Sequence, residues 1–174
     1  MAEYERTRVR EREAPALSNY ELALKLHRET AERNRIGRIV CKLEECPQLL
    51  TRQGRLRTYL GLNIRDTPLQ DWIVFTHEIR GASGRHRHQG GLVIYVIDGA
   101  GYSIVDGERV DWEKGDLVLL PLRETGVEHQ HFNENPEKPA LWMAFIRRGI
   151  QEHVASEMTQ SDDSPEYKAQ EQRK

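Results

Sequence analysis

The sequence predicts an all-β sandwich or barrel with an N-terminal helix and polar ends, and three observations carry that prediction. Beyond residue 38, short segments of period two follow one another at close spacing, separated by Gly, Pro and Asp. Asp106-Gly107 lies between two alternating runs, the strongest short hairpin signal, because a type I′ turn needs positive φ at both positions. No repeat of 20–50 residues is visible that would indicate a solenoid or propeller instead.

The 174 residues suit one domain of ordinary size. Charged residues make up 31% of the chain and are concentrated at its ends, with eight in residues 1–17 and eight in 157–174. Residues 1–17 therefore read as an N-terminal arm. Ser18 with Glu21 forms a capping-box pattern, and Tyr20, Leu24, His27 and Ala31 recur at helical spacing. These place a helix at about 19–34 within a helical segment 18–37. Strands are expected at 38–42, 57–60, 71–79, 92–97, 102–105, 108–111, 117–120, 127–132 and 140–146, all within a β-barrel domain 38–150. From 151 to 174 apolar residues become sparse, and a disordered tail is expected.

Several classes are excluded as expectations. A net charge of −2 with no long run of one sign argues against an extended nucleic-acid surface. No segment approaches the roughly 20 apolar residues of a membrane helix, and the N-terminus lacks the apolar core of a signal peptide. Two cysteines, Cys41 and Cys46, make no disulfide framework, so a cytoplasmic setting is expected.

The informative stretch is 81–133, where four of the seven histidines fall. Residues i and i+2 of a strand share a face, so His86 projects with His88 and His129 with His131. Two neighbouring strands carrying such pairs can bring three or four imidazole nitrogens to one metal ion, and neutral imidazole suits Zn, Cu, Fe and Ni. Leu92, Ile94 and Val96 share one apolar face of their strand, with Trp142 and Ala144 as companions. Val93, Tyr95 and Ile97 make a second apolar face, which calls for another layer or a partner subunit. His77 shares parity with Phe75 and Ile79 and reads as a barrel residue able to line a pocket.

Gly81 five residues before His86-x-His88, Gly99, the run Gly115-Asp116 to Pro121, and His129-x3-Asn133 resemble the two motifs of the cupin superfamily. The resemblance covers about residues 70–147. It implies a small double-stranded β-helix (jelly-roll) barrel holding a metal on His86, His88 and His129. The family's carboxylate ligand falls on Leu92 here, and a longer loop, 121–126, precedes His129. His131 remains open as a fourth ligand, an acid/base or a supporting donor. Three histidines without a carboxylate look like the gentisate- and salicylate-type dioxygenases, which implies Fe(II), with Mn, Ni or Zn as alternatives. O2 and a small aromatic or phenolic acid would be the reactants. A metal-dependent lyase, isomerase or hydrolase without O2, and a non-catalytic binding cupin, are the rival readings. His131 is the candidate catalytic residue. Arg123, Leu92, His77 and Trp142 are the candidate substrate contacts, with Arg123 as the cation for a carboxylate. Cupins are commonly dimers, so a homodimer is expected.

Overall fold

A computed structural model describes residues 13–89 and 91–174. The described residues fall into two compact units, divided after Gly37. In the first, helix α1 (Asn19–Ile36) starts at the expected capping box, where Ser18 and Glu21 each bond the other's backbone N–H. The arm expected over 1–17 lies, for residues 1–12, outside the described residues.

The second unit holds two antiparallel sheets. One contains β1 (Gln48–Thr51), β2 (Gly54–Leu60), β3 (Trp72–Ile79), β10 (Ala140–Arg147), β5 (Leu92–Asp98) and β8 (Leu117–Leu120), in the order β1-β2-β3-β10-β5-β8. The other, in the order β11-β4-β9-β6-β7, contains β11 (Thr159–Asp162), β4 (Arg85–His88), β9 (Val127–Asn133), β6 (Ala100–Val105) and β7 (Glu108–Glu113). This is the all-β arrangement that the period-two pattern predicted, in the jelly-roll form that the resemblance implied. Asp106 (φ 47) and Gly107 (φ 90) both adopt positive φ between β6 and β7, as the hairpin reading required.

The core lies on the inner faces of the two sheets. Leu92, Ile94 and Val96 of β5 are buried, as are Trp142, Ala144 and Ile146 of β10, while Val93 and Tyr95 point outward and are exposed. β5 is therefore apolar on both sides, but only one side is covered among the described residues. Trp112 closes the core from β7. Among the described residues no helix is long and apolar enough to cross a membrane, and Cys41 and Cys46 are free thiols.

Two expectations are corrected. Residues 38–42 form no strand: Ile39 and Val40 are exposed, and Arg38 pairs with Glu45 and Asp66. The strand of that region is β1, set by its hairpin with β2 (Gln48↔Arg57). An apolar run without a partner edge gains no ladder, and which run finds one is a tertiary matter. The second correction concerns the tail. Residues 151–174 are not a disordered segment: helix α2 (Arg148–His153) leads into β11, and helix α3 (Pro165–Glu171) follows, capped by the buried Ser164. β11 pairs with β4 through Thr159↔Arg87 and Gln160↔His86. Arg52–Asp163 (2.7 Å) and Arg55–Glu166 (3.1 Å) tie the segment to the β1–β2 turn and to β2. Such ion pairs contribute at most about 1 kcal/mol each. What orders the tail is the open edge of β4, whose backbone groups β11 satisfies. Composition reports apolar content and is blind to an available edge.

Candidate metal centre

β4 and β9 are neighbours in register, with His86 opposite His129 and His88 opposite Val127. Period-two geometry then turns His86, His88 and His129 to the interior, where they are 8%, 6% and 1% exposed. Their ring centroids lie 4.3 Å (His86–His129), 4.9 Å (His88–His129) and 5.6 Å (His86–His88) apart. One ligand nitrogen from each falls within 4.8 Å of the others.

The hydrogen bonds orient two of the rings. His129 Nδ1 lies 3.1 Å from the Val127 carbonyl, and His86 Nδ1 lies 3.4 Å from that of Gly84. A carbonyl only accepts, so Nδ1–H donates in each case, and the lone pair is left on Nε2. Burial holds all three imidazoles neutral, pushing His129 down to about 2, His88 down to about 4 and His86 below its usual range. No proton therefore has to leave these rings at neutral pH before a metal binds. Neutral donors, close spacing and carbonyl-fixed tautomers make the trio fit a divalent transition metal.

The trio lines a cavity of about 280 Å³. The candidates Leu92, His77, His131 and Trp142 all line it as well. Leu92, where the resemblance would put a carboxylate, is buried at 3% exposure and gives the cavity an apolar wall. His77 packs edge-on to Trp142 at 4.8 Å, and burial pushes it down to about 3. A Cβ on Gly54 would collide with His77 Nε2, so that nitrogen faces β2. His131 sits 5.4 Å from His129 and 5.1 Å from Trp142 by ring centroids, with Nδ1 on Ser103 Oγ at 2.7 Å. The indole Nε1–H of Trp142 has no acceptor among the described residues. Asn133, part of the spacing that favoured His129, serves the fold: its Nδ2 donates to the carbonyls of Arg80, Asn135 and Lys138.

Arg123 is not brought to the site. Its guanidinium is exposed and bonds Asp106 Oδ2 at 2.7 Å, outside the residues that line the cavity. The turn aspartate, fixed by its own hairpin, offers a carboxylate, and none of the residues lining the cavity does. None of the lining residues carries a formal charge besides the titratable imidazoles. Arg123→Ala is accordingly expected to leave metal content unchanged and to alter stability by less than about 1 kcal/mol. Metal analysis and a thermal melt check both. The lining residues that sequence reasoning missed include Leu56 and Thr58 of β2, Ile73 of β3, Gln53 from the β1–β2 turn, and Gln151, Ser156 and Met158 from the C-terminal segment. They lie outside the histidine-rich stretch 81–133, and its pattern does not mark them.

Two antiparallel sheets enclosing a pocket walled by histidines from adjacent strands define a small β-barrel with a candidate metal site. Residues 74–146 match the family described as Cupin domain, and this stretch is a cupin domain. Gentisate 1,2-dioxygenase from Ralstonia sp. is 39% identical over 62 residues, which are 35% of this chain and 16% of that protein. Acireductone dioxygenase from Phaeosphaeria nodorum is 34% identical over 62 residues, covering 33% of this chain and 34% of the relative. The matches therefore span a minor part of either relative's length. Among solved structures, salicylate 1,2-dioxygenase from Pseudoaminobacter salicylatoxidans with gentisate superposes with a TM-score of 0.52 at 17% identity, covering 79% of this chain and 36% of that one. Pac13, a nucleoside dehydratase, gives a TM-score of 0.53 at 14% identity, covering 73% of this chain and 94% of its own. At these identities the superpositions establish the fold.

Proposed function

We propose that the protein is a metal-dependent cupin enzyme, an Fe(II) dioxygenase that cleaves a C–C bond of a small aromatic or phenolic acid. The observation that carries this reading is the neutral trio His86, His88 and His129 in a cavity with no fixed charge. The short but 39% identical match to gentisate 1,2-dioxygenase supports it. A divalent metal held by the neutral His86, His88 and His129 would keep its positive charge and would supply Lewis-acid and O2 chemistry in the cavity. Mn, Ni and Zn are the alternatives to Fe.

The chain's own residues do the rest. With no arginine among the described lining residues, no side chain there clamps a carboxylate, and the positive charge for it would come from the metal. Leu92, Phe75, Ile73 and Trp142 form apolar walls that fit a planar organic ring and exclude water. His131 stands beside His129 as the hydrogen-bonding partner for a substrate oxygen. The exposed apolar strip Val93, Tyr95, Leu117 and Leu119 fits the homodimer expected from the sequence, which light scattering reads directly. A cytoplasmic setting is the corresponding cellular proposal.

The test is oxygen uptake by Fe(II)-loaded protein with gentisate, salicylate and related phenolic acids as probes. Uptake coupled to loss of the aromatic absorbance, absent in His86→Ala, is the expected result. Turnover of any of these compounds without oxygen uptake would replace the dioxygenase by an O2-independent enzyme on the same site. Metal-free protein with no activity lost in His86→Ala would end the metalloenzyme reading.

A further inference from the structure

We propose that Ser103 and Trp112 are positioning residues that fix His131 with its proton on Nε2. His131 then offers the pocket a hydrogen-bond donor for a substrate oxygen, and is neither a fourth metal ligand nor a base. The inference rests on His86, His88 and His129 being the metal ligands, and it decides which role the remaining pocket histidine plays.

The direction of the hydrogen bonds follows from what each group can do. Trp112 Nε1–H lies 2.9 Å from Ser103 Oγ, and an indole nitrogen only donates. Ser103 Oγ lies 2.7 Å from His131 Nδ1. A serine hydroxyl has one proton, and Ser103 is completely buried. If His131 Nδ1 carried a proton and donated it, Ser103 would accept twice and its own O–H would have no acceptor among the described residues. Buried hydroxyls avoid that arrangement. The consistent relay runs Trp112 N–H to Ser103 O–H to His131 Nδ1, so the imidazole proton sits on Nε2. A protonated nitrogen has no lone pair for a metal.

The fold holds this relay in place. Ser103 and His131 are directly opposite in the β6–β9 ladder. Trp112 reaches Ser103 over Gly101, where a Cβ would strike both the Phe132 carbonyl and the Trp112 ring. The backbone of His131 is pinned to Ser83 in both directions, its carbonyl accepting from Ser83 N–H at 2.8 Å and its N–H donating to Ser83 Oγ at 2.9 Å. Among the described residues no carboxylate contacts the ring, so none of them draws a second proton onto it.

The consequence concerns the class of ligand. The pocket offers a neutral N–H donor, His131 Nε2–H, and no cation among the described lining residues. Such a donor matches a carbonyl, phenolic or enolic oxygen of a ligand in the cavity.

The test is long-range ¹H–¹⁵N correlation of the histidine rings at neutral pH, in protein loaded with Zn(II) and in metal-free protein. The expected result is His131 protonated on Nε2 and bare on Nδ1 in both. Ser103→Ala and Trp112→Phe should each shift His131 toward the Nδ1–H form, while Ser103→Thr retains the wild-type pattern. His131→Gln should keep the wild-type zinc stoichiometry. A wild-type ring protonated on Nδ1, a tautomer unmoved in both Ser103→Ala and Trp112→Phe, or loss of zinc in His131→Gln would overturn the proposal. Failure of the wild-type protein to bind zinc would instead count against the metal-site reading, since the tautomer is read without metal. The wild-type spectrum decides the matter even if a variant does not fold.

Discussion

Replacing His129 by glutamine is expected to abolish stable metal binding and reduce metal-dependent activity to background. His129 is the most deeply buried of the three candidate ligands, and it lies within 5 Å of both the others by ring centroid. Removing a mere hydrogen-bonding partner of a ligand typically weakens metal binding by about 10–100-fold, so loss of the ligand itself should exceed that. A bound metal at a thousand times its Kd would stabilise the fold by roughly 4 kcal/mol. Chelation should therefore lower the melting temperature of the wild-type protein and leave that of His129→Gln unmoved. Elemental analysis of the purified variant, with melts before and after chelator, reads both effects. Wild-type metal content in His129→Gln would remove this residue from the ligand set.

Acidification of the metal-free protein is expected to destabilise it steeply. Five imidazoles are held below their ordinary range by burial: His77 down to about 3, His88 to about 4 and His129 to about 2, with His86 and His131 also lowered. In the unfolded chain each titrates near 6.5. Above that value both states are neutral and the contribution to stability is complete. As pH falls from about 6.5 toward 4, the unfolded chain takes up protons that the folded chain refuses. Each group then loses on the order of 1 kcal/mol per pH unit. Against the roughly 5–15 kcal/mol of a typical domain, several such groups acting together should produce acid unfolding within that window. Melts of chelated protein across it would show a falling melting temperature, and His77→Gln should make the slope shallower. A flat profile would mean that the rings are solvated or already charged.

The legible part of the site lay in parity. His86 and His88 share a face because a strand has period two, and so do His129 and His131, whatever the rest of the chain does. The pattern could not tell that β4 is a strand of four residues buttressed on its far side by β11, because that support comes from residues more than 70 positions away. Nor could it rank His129 against His131. Both are buried and face the same cavity, but only His129 groups with His86 and His88 at ligand spacing, and the Nδ1 partners differ: the Val127 carbonyl for His129 and the Ser103 hydroxyl for His131. Arg123 was misplaced for the same reason, since an arginine in a loop takes the nearest carboxylate and nothing in its neighbours identifies which one that is.

By itself, then, the sequence determined what depends on neighbouring residues. The helix starts at Ser18–Glu21, the hairpin turns at Asp106-Gly107, β5 alternates between two faces, and the histidines come in pairs that share a face. Each of these follows from dihedral preference or from the repeat of helix and strand. The tertiary structure alone decided the register that sets His86 opposite His129, the lining of the pocket by the C-terminal segment, and the placement of Arg123 outside it. It also decided the Trp112–Ser103–His131 relay. These are choices of partner among residues far apart in the chain, settled by which edge, carboxylate or hydroxyl the packed sheets bring within hydrogen-bonding distance.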